Sequence, residues 1–434
     1  MRKIDARGRL RELLSSNLEF HEQSSNHNTH DFHAFPAKFP PQLPNTFINR
    51  LTLPGECVLD PMMGSGTTIV EAIAAGRRAV GFDIDPLAVL ISSVKTTPID
   101  AALAVQKGRE IVSKAERRLN ADRMSLLKEL DCAFDPETRE FIDYWFDEET
   151  QQELMSLASE IQNIRDTQLR KFLQLCFSAI IITKSGGVSL AWDLAHTRPH
   201  KFRQGQAKSH RPALPDFLKR LSRNAGSLAP VSNSYQTSRV ALGNAESISL
   251  PNDSVDLLFT SPPYAANAID YMRASKFSLV WLGHPVCELG ELRSKYIGSE
   301  NTRNYQMEDL PPRSLETVER ITAVNKKRGL ALRRYYSEMT RVLKETHRVL
   351  KPDRTAAFVV GSAVMGGIDS EAQNCLSEIG TKIGLDLVGI GVRRLDRNRR
   401  MLPVTMKAQS ESQIENRMHQ EYVVGFYKPP SNRF

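Results

Sequence analysis

Residues 57–83 read CVLDPMMGSGTTIVEAIAAGRRAVGFD. Cys57 to Asp60 is a short apolar run ending on a carboxylate, the pattern of a buried strand. The next eight residues contain Gly64 and Gly66, which lack a Cβ and allow both a tight turn and close approach of a ligand to the backbone. IVEAIAAG then reads as a helix closed by Gly76, and RAVGFD as a second strand ending on Asp83. Strand, Gly-rich turn, helix and strand make a βαβ unit, which predicts an α/β fold with a parallel sheet covered on both faces. The turn is neither the GxGxxG dinucleotide fingerprint nor a P-loop, because no Lys follows the second Gly.

Outward from this unit, residues 1–50 read as a helix followed by a loop rich in His, Asn and Pro. Helical spacing marks QQELMSLASEIQNI and RKFLQLCFSAIIIT within residues 101–185, and residues 186–239 turn polar and basic. Strand patterns return at SRVALGNA and VDLLFTSPPY, a long helix covers YYSEMTRVLKETHRVL, and AAFVVG, LDLVGIGV and EYVVGFY are further strands. The expected organisation is one α/β sheet domain in two halves, 1–100 and 238–434, interrupted by a mostly helical and basic insertion at 101–237.

Two more features carry chemistry. Asp83, about twenty residues after the Gly turn, stands where a carboxylate can accept hydrogen bonds from both hydroxyls of a ribose. Asp85 is better placed to cap the helix that begins at Pro86. Thr260-Ser261-Pro262-Pro263-Tyr264 follows the apolar strand VDLLF. Two prolines end the strand and fix a rigid outward turn. The Ser261 hydroxyl and the Pro262 carbonyl can then hold the hydrogens of an amino group whose lone pair is otherwise delocalised into a base ring. Tyr264 can stack on a base rotated out of the duplex.

Together these motifs resemble the DNA amino-methyltransferases, which act on N4 of cytosine or N6 of adenine. The resemblance covers about residues 30–95 and 238–430. It implies a Rossmann-like, S-adenosylmethionine-dependent methyltransferase sheet. The cofactor loop would be Asp60, Pro61, Gly64, Ser65, Gly66, Thr67 and Thr68, with Asp83 and its neighbour Ile84 at the ribose. His33-Ala34-Phe35-Pro36-Ala37-Lys38-Phe39-Pro40-Pro41 looks like the family's additional motif, so Lys38, Phe39 and Pro40 join the cofactor set. Gly243-Asn244-Ala245 stands where the family often has Gly-Asp-Ala near the adenine of the cofactor, which adds Asn244 and Ala245. Met62 and Met63 depart from the commoner aromatic and small residues of the loop. Ser261, Pro262, Pro263 and Tyr264 form the catalytic tetrapeptide, and Ser at its first position is associated in that family with N4 of cytosine. Cytosine-C5 chemistry is disfavoured separately, since it needs an attacking thiolate, usually in a Pro-Cys pair, and no cysteine here follows a proline. An adenine-N6 enzyme, an RNA base methyltransferase and a non-catalytic DNA-binding relative are the competing readings.

The chain has 434 residues, with 58 Lys plus Arg against 50 Asp plus Glu, a net charge of +8 that mildly favours a polyanionic partner. Residues 196–223 hold eight Lys or Arg and only one acid, Asp216. Arg198, Lys201, Arg203, Lys208 and Arg211 are the candidate contacts to double-stranded DNA, against the plainer reading of a solvated basic loop. Arg393, Arg394, Arg397, Arg399 and Arg400 form a second candidate for the same groove. His27, His30 and His33 recur every third residue, but the loop-like setting shows no acidic partner, and no metal site is expected. Five cysteines without a CxxC pair suggest neither a disulfide framework nor a zinc ribbon. The N-terminal stretch has no apolar signal segment, and the apolar run from Phe177 to Ile182 is far too short to span a bilayer. A cytoplasmic protein is expected, with a cognate restriction endonuclease as a candidate partner.

Overall fold

The computed structural model describes residues 5–20, 23, 29–36, 38–183, 186–192, 210–228, 238–265, 270–301, 305–395 and 420–430. CVLD forms β1 (Cys57–Asp60) and RAVGFD forms β2 (Arg78–Asp83). β3 (Ser238–Leu242), β4 (Val255–Thr260) and β5 (Leu350–Gly361) follow. β6 (Val364–Met365) and β7 (Ile368–Asp369) pair only with each other, and β8 (Asp386–Arg394) and β9 (Gln420–Lys428) come last. One seven-stranded sheet runs in the order β3-β2-β1-β4-β5-β9-β8. β1 to β5 are parallel, and β9 is antiparallel to both of its neighbours. The seven strands read from the sequence all form, and the α/β expectation holds. β1 and β4 are buried along their whole length, as central parallel strands covered on both faces must be. The chain moves from β1 outward to β2 and β3, then returns to β4 on the other side of β1. Connections leave this switch point in opposite directions, the place at which open α/β sheets bind their ligands.

Alternate residues of the central strands face opposite cores, as period-two geometry requires. On one face α1 (Ala6–Ser15), α2 (Gln42–Leu51) and α3 (Thr67–Ala74) pack Leu10, Phe47 and Ile69 with Val58, Leu257 and Val359. α4 (Pro86–Lys95) follows β2. Between α4 and β3 come α5 (Ala101–Ala121), α6 (Arg123–Ala133), α7 (Pro136–Trp145), α8 (Glu148–Gln162), α9 (Thr167–Ile181) and α10 (Ala213–Gly226). α11 (Tyr271–Leu279) and α12 (Val286–Ser294) come after β4. On the other face of the sheet, α13 (Pro312–Val324), α14 (Lys326–Val349) and α15 (Ala372–Ile383) pack Ile321, Tyr335, Met339 and Leu376 with Leu59, Leu258 and Phe358.

α5 to α9 each open on an aspartate whose side chain accepts a backbone N–H of the first turn: Asp100, Asp122, Asp135, Asp147 and Asp166. Each such cap is worth about 1 kcal/mol. The inserted helices share one continuous core with α4 and α11: Leu173, Phe177 and Phe217 pack in the same cluster as Ile91 and Phe277. Two sequence expectations are corrected by packing. The stretch read as a loop before residue 50 contains α2, which buries Leu43, Phe47 and Leu51. The polar, basic stretch in which no helix was read becomes helical at Ala213, where Leu214, Phe217 and Leu221 recur at helical spacing and are buried.

Candidate active site

Asp60 ends β1 and is 1% exposed. Its Oδ1 accepts from the Thr260 hydroxyl at 2.6 Å and from the Met62 N–H at 3.2 Å. Burial pushes its pKa up to about 6, against the pull of these hydrogen bonds. Asp60 therefore braces the Gly-rich loop against the end of β4 rather than presenting its own carboxylate. Gly64 and Gly66 take φ of 49° and 77°, the left-handed region that disfavours any side chain. A Cβ on Gly66 would lie 2.6 Å from Ser92 Oγ. α4 closes the loop from behind: Ser92 Oγ donates to the Gly64 carbonyl at 2.9 Å, and the buried Lys95 Nζ donates to the Ser65 carbonyl at 2.8 Å. Pro61, Ser65, Thr67 and Thr68 are buried with it.

Asp83 ends β2, half-buried beside the loop. The Gly64 N–H donates to its Oδ2 at 2.8 Å and the Asp85 N–H to its Oδ1 at 2.9 Å. A carboxylate has about four acceptor positions, so two such bonds leave it able to take two more donors. Burial, then the neighbouring Asp85 charge, raises the Asp83 pKa to about 7. Asp85 caps α4 by accepting from Leu87 N, with Pro86 in the first turn, as its position in the sequence indicates. β3 pairs with β2 so that Leu242 stands beside Asp83, and the Gly243 N–H donates to the Asp83 carbonyl at 3.0 Å. Asn244 is exposed at this edge, its Oδ1 accepting from Glu246 N, while Ala245 is buried and Ile84 half-buried.

The segment before α2 covers the loop. A Cβ on Gly64 would lie 3.1 Å from the Phe35 ring, and that ring stands 5.9 Å from Tyr271 at a 30° tilt. Lys38 Nζ donates to the carbonyls of His30 and His33 at 2.9 and 3.3 Å, which folds residues 30–38 back on themselves. Phe39 meets Phe259 edge-on at 5.8 Å, and the Pro40 carbonyl accepts the Leu43 N–H at the start of α2. His30 and His33 turn to different partners. His27 lies outside the described residues, His30 Nε2 bonds Glu71 at 2.7 Å, and His33 Nδ1 bonds the Ala34 carbonyl. Burial pushes the His33 pKa down to about 3. Among the described residues no group of three or more His, Cys, Asp or Glu could hold a metal ion.

SPPY leaves the carboxyl end of β4, so β2, β1 and β4 bring Asp83, the Gly-rich loop and the tetrapeptide to one edge. Ser261 Oγ donates to the Val359 carbonyl of β5 at 2.9 Å. Its proton is thereby directed into the sheet and its lone pairs remain available to accept. Pro262 is buried, with Pro263 and Tyr264 half-buried. The Tyr264 phenol donates to Glu421 Oε1 at 2.6 Å, and burial together with that carboxylate pushes its pKa well above the ordinary phenol value. Burial, followed by the charges of Asp83 and Glu421, likewise raises the Tyr271 phenol.

Phe35, Tyr271 and Glu421 were not singled out in the sequence. The only signal for Glu421 is an acid opening the apolar strand EYVVGFY, and for Tyr271 an aromatic seven residues past Tyr264. The second arginine cluster is corrected in part. Arg393 is 5% exposed and its Nη1 donates to Glu421 Oε2 at 2.6 Å, so it faces the site from inside the sheet; Arg397, Arg399 and Arg400 lie outside the described residues. Arg198, Lys201, Arg203 and Lys208 also lie outside them. Arg211 is half-exposed and paired with Asp216. α10, which follows this basic run, docks on the segment ahead of the Gly-rich loop: Arg223 pairs with Asp31 at 2.9 Å, and Asn224 Nδ2 donates to the Phe32 carbonyl at 3.2 Å.

The N6/N4 DNA methylase family model matches residues 11–93. The type II methyltransferase M.MvaI of Kocuria varians is 26% identical over 388 residues, 83% of this chain and 83% of that protein. M.AvaI of Nostoc sp. strain PCC 7120, also a type II methyltransferase, is 26% identical over 368 residues, 76% of this chain and 73% of that one. M.MjaII of Methanocaldococcus jannaschii reaches 36% identity over 91 residues, 21% of this chain and 16% of its own.

Proposed function

We propose that this chain, an N6/N4 DNA methylase relative similar over most of its length to type II methyltransferases, transfers the methyl group of S-adenosylmethionine to N4 of cytosine in double-stranded DNA. One observation carries the reading: the Gly-rich loop, Asp83 and SPPY meet at the carboxyl ends of three adjacent strands and are tied together through Asp60 and Thr260. The site fits the cofactor. Asp83 keeps acceptor capacity for two ribose hydroxyls, Gly64 and Gly66 give the loop the left-handed turn that brings the Gly64 N–H onto Asp83, and Phe35 and Tyr271 add aromatic faces nearby. Bound there, S-adenosylmethionine supplies an electrophilic methyl group on a sulfonium. Lys38, Phe39, Pro40, Ile84, Asn244 and Ala245 complete the proposed cofactor set.

The remaining chemistry belongs to the chain. The target base leaves the duplex and stacks on Tyr264. Ser261 Oγ and the Pro262 carbonyl accept the amino hydrogens, which draws the nitrogen toward a pyramidal shape and turns its lone pair outward. Fixed acceptors in a site shielded from water act without reorganisation during the step. Ser261 at the head of the tetrapeptide favours cytosine over adenine. The insertion at 101–237, with Arg198, Lys201, Arg203, Lys208 and Arg211, grips and reads the duplex, and a type II restriction endonuclease of the same specificity is the proposed partner activity. Mass spectrometry of nucleosides from DNA incubated with the protein and S-adenosylmethionine is expected to find N4-methylcytosine. N6-methyladenine in its place would keep the amino-methyltransferase reading and overturn the choice of base; unmodified DNA would overturn both.

A further inference from the structure

Tyr264 and Glu421 are 157 positions apart in the chain, yet the phenol and the carboxylate meet at 2.6 Å. Glu421 is itself held from two sides. In the sheet it pairs with Gly361 of β5 and with Arg393 of β8, and its second carboxylate oxygen accepts from Arg393 Nη1 at 2.6 Å. Glu421 and Arg393 are 7% and 5% exposed. Burying such a pair costs desolvation that its attraction offsets only in part, so stability alone is a weak reason for it. Its geometric effect is definite: one oxygen is locked by the guanidinium, and the other is left in a fixed position facing the phenol.

We propose that Glu421 is a positioning residue for the reaction, fixing the plane of the Tyr264 ring through its hydroxyl so that an extruded base stacks with its amino group at Ser261 and Pro262. This rests on the reading of Tyr264 as the stacking residue. An aromatic ring joined to a turn by two rotatable bonds would otherwise sweep several orientations, and small displacements of a reacting group lower rates steeply. Arg393 acts one step further back, by holding Glu421. A tyrosine, and not only a flat ring, is therefore needed here, because the hydroxyl is the handle by which the sheet holds the ring.

The test is a double-mutant cycle on the full chain, using a duplex shown to be methylated by the wild-type protein. Y264F keeps the stacking face and removes the handle; E421Q keeps the shape and removes the charge. Each is expected to lower kcat for methyl transfer about tenfold while leaving S-adenosylmethionine affinity near wild type. Y264F should also keep the melting temperature, whereas E421Q should lower it, because the buried Arg393 guanidinium loses its counter-charge. The double variant is expected to be no slower than the slower single variant, because both changes break one interaction. Losses that multiply to about a hundredfold, or wild-type kcat in either single variant, would overturn the proposal. Should E421Q fail to fold, Y264F alone decides, since it keeps the ring. Y264A separates the two levels. Wild-type turnover in Y264A removes the stacking role itself, whereas a slow Y264A beside a fast Y264F removes only the part assigned to Glu421.

Discussion

Asp83 is held by two backbone donors, the N–H groups of Gly64 and Asp85, while burial and the Asp85 charge raise its pKa from 3.8 to about 7. A raised carboxyl pKa means that the ionised form is disfavoured in the folded protein. The stability linked to this group is complete below about pH 4 and is lost as pH rises through about 7. Ribose hydroxyls donate hydrogen bonds, so they favour the ionised form. S-adenosylmethionine affinity, measured by calorimetry, should therefore tighten between pH 6 and pH 8, and Asp83→Asn should flatten that dependence. Asp83→Ala should weaken binding at least tenfold at pH 8, since each lost charge-assisted bond is worth about 1.5–3 kcal/mol. Unchanged affinity in a folded Asp83→Ala protein would remove this residue from the site. The bracing role of Asp60 and the contribution of Glu421 were not legible in the sequence, because both depend on partners about 160–200 positions away.

α10 shows how an element can hide inside a charge pattern. Lys219 and Arg223 gave the stretch its polar, basic character, while Phe217 and Leu221 are fully buried against the neighbouring helices. Phe217→Ala should destabilise the protein by about 3–5 kcal/mol, seen as a lower denaturant midpoint. The boundaries of α5 to α9 were more legible than they were taken to be, since an aspartate cap precedes each of them. The basic run ahead of α10 takes a separate test. Replacing Arg198, Lys201, Arg203, Lys208 and Arg211 with Ala should flatten the salt dependence of DNA binding by roughly 3–5 in log–log slope if most touch phosphate. Arg211 must leave Asp216 to do so, and it should contribute least of the five. S-adenosylmethionine affinity should stay constant, and an unchanged salt slope would return this run to the status of a solvated loop.

In the whole molecule, the seven strands could be foreseen because periodicity and turn chemistry are local. The order β5-β9-β8 could not, because it depends on a strand that enters between two earlier ones. β9 pairs with β5 from Arg354–Lys428 to Gly361–Glu421 and with β8 along nearly its whole length. Deleting residues 420–428 should therefore abolish cooperative melting by circular dichroism rather than only slow the reaction. The same arrangement has a consequence for synthesis. When residue 361 has left the ribosome, β5 can join β4 but still offers a bare apolar edge until residue 428 follows. At about 5–20 residues per second that interval lasts roughly 3–13 s. During it the nascent chain displays a template on which another chain could add a strand, and it also lacks the carboxylate that holds Tyr264. Translation thus sets both the hazard and its end, for the strand that seals the edge against aggregation is the one that brings Glu421 to Tyr264.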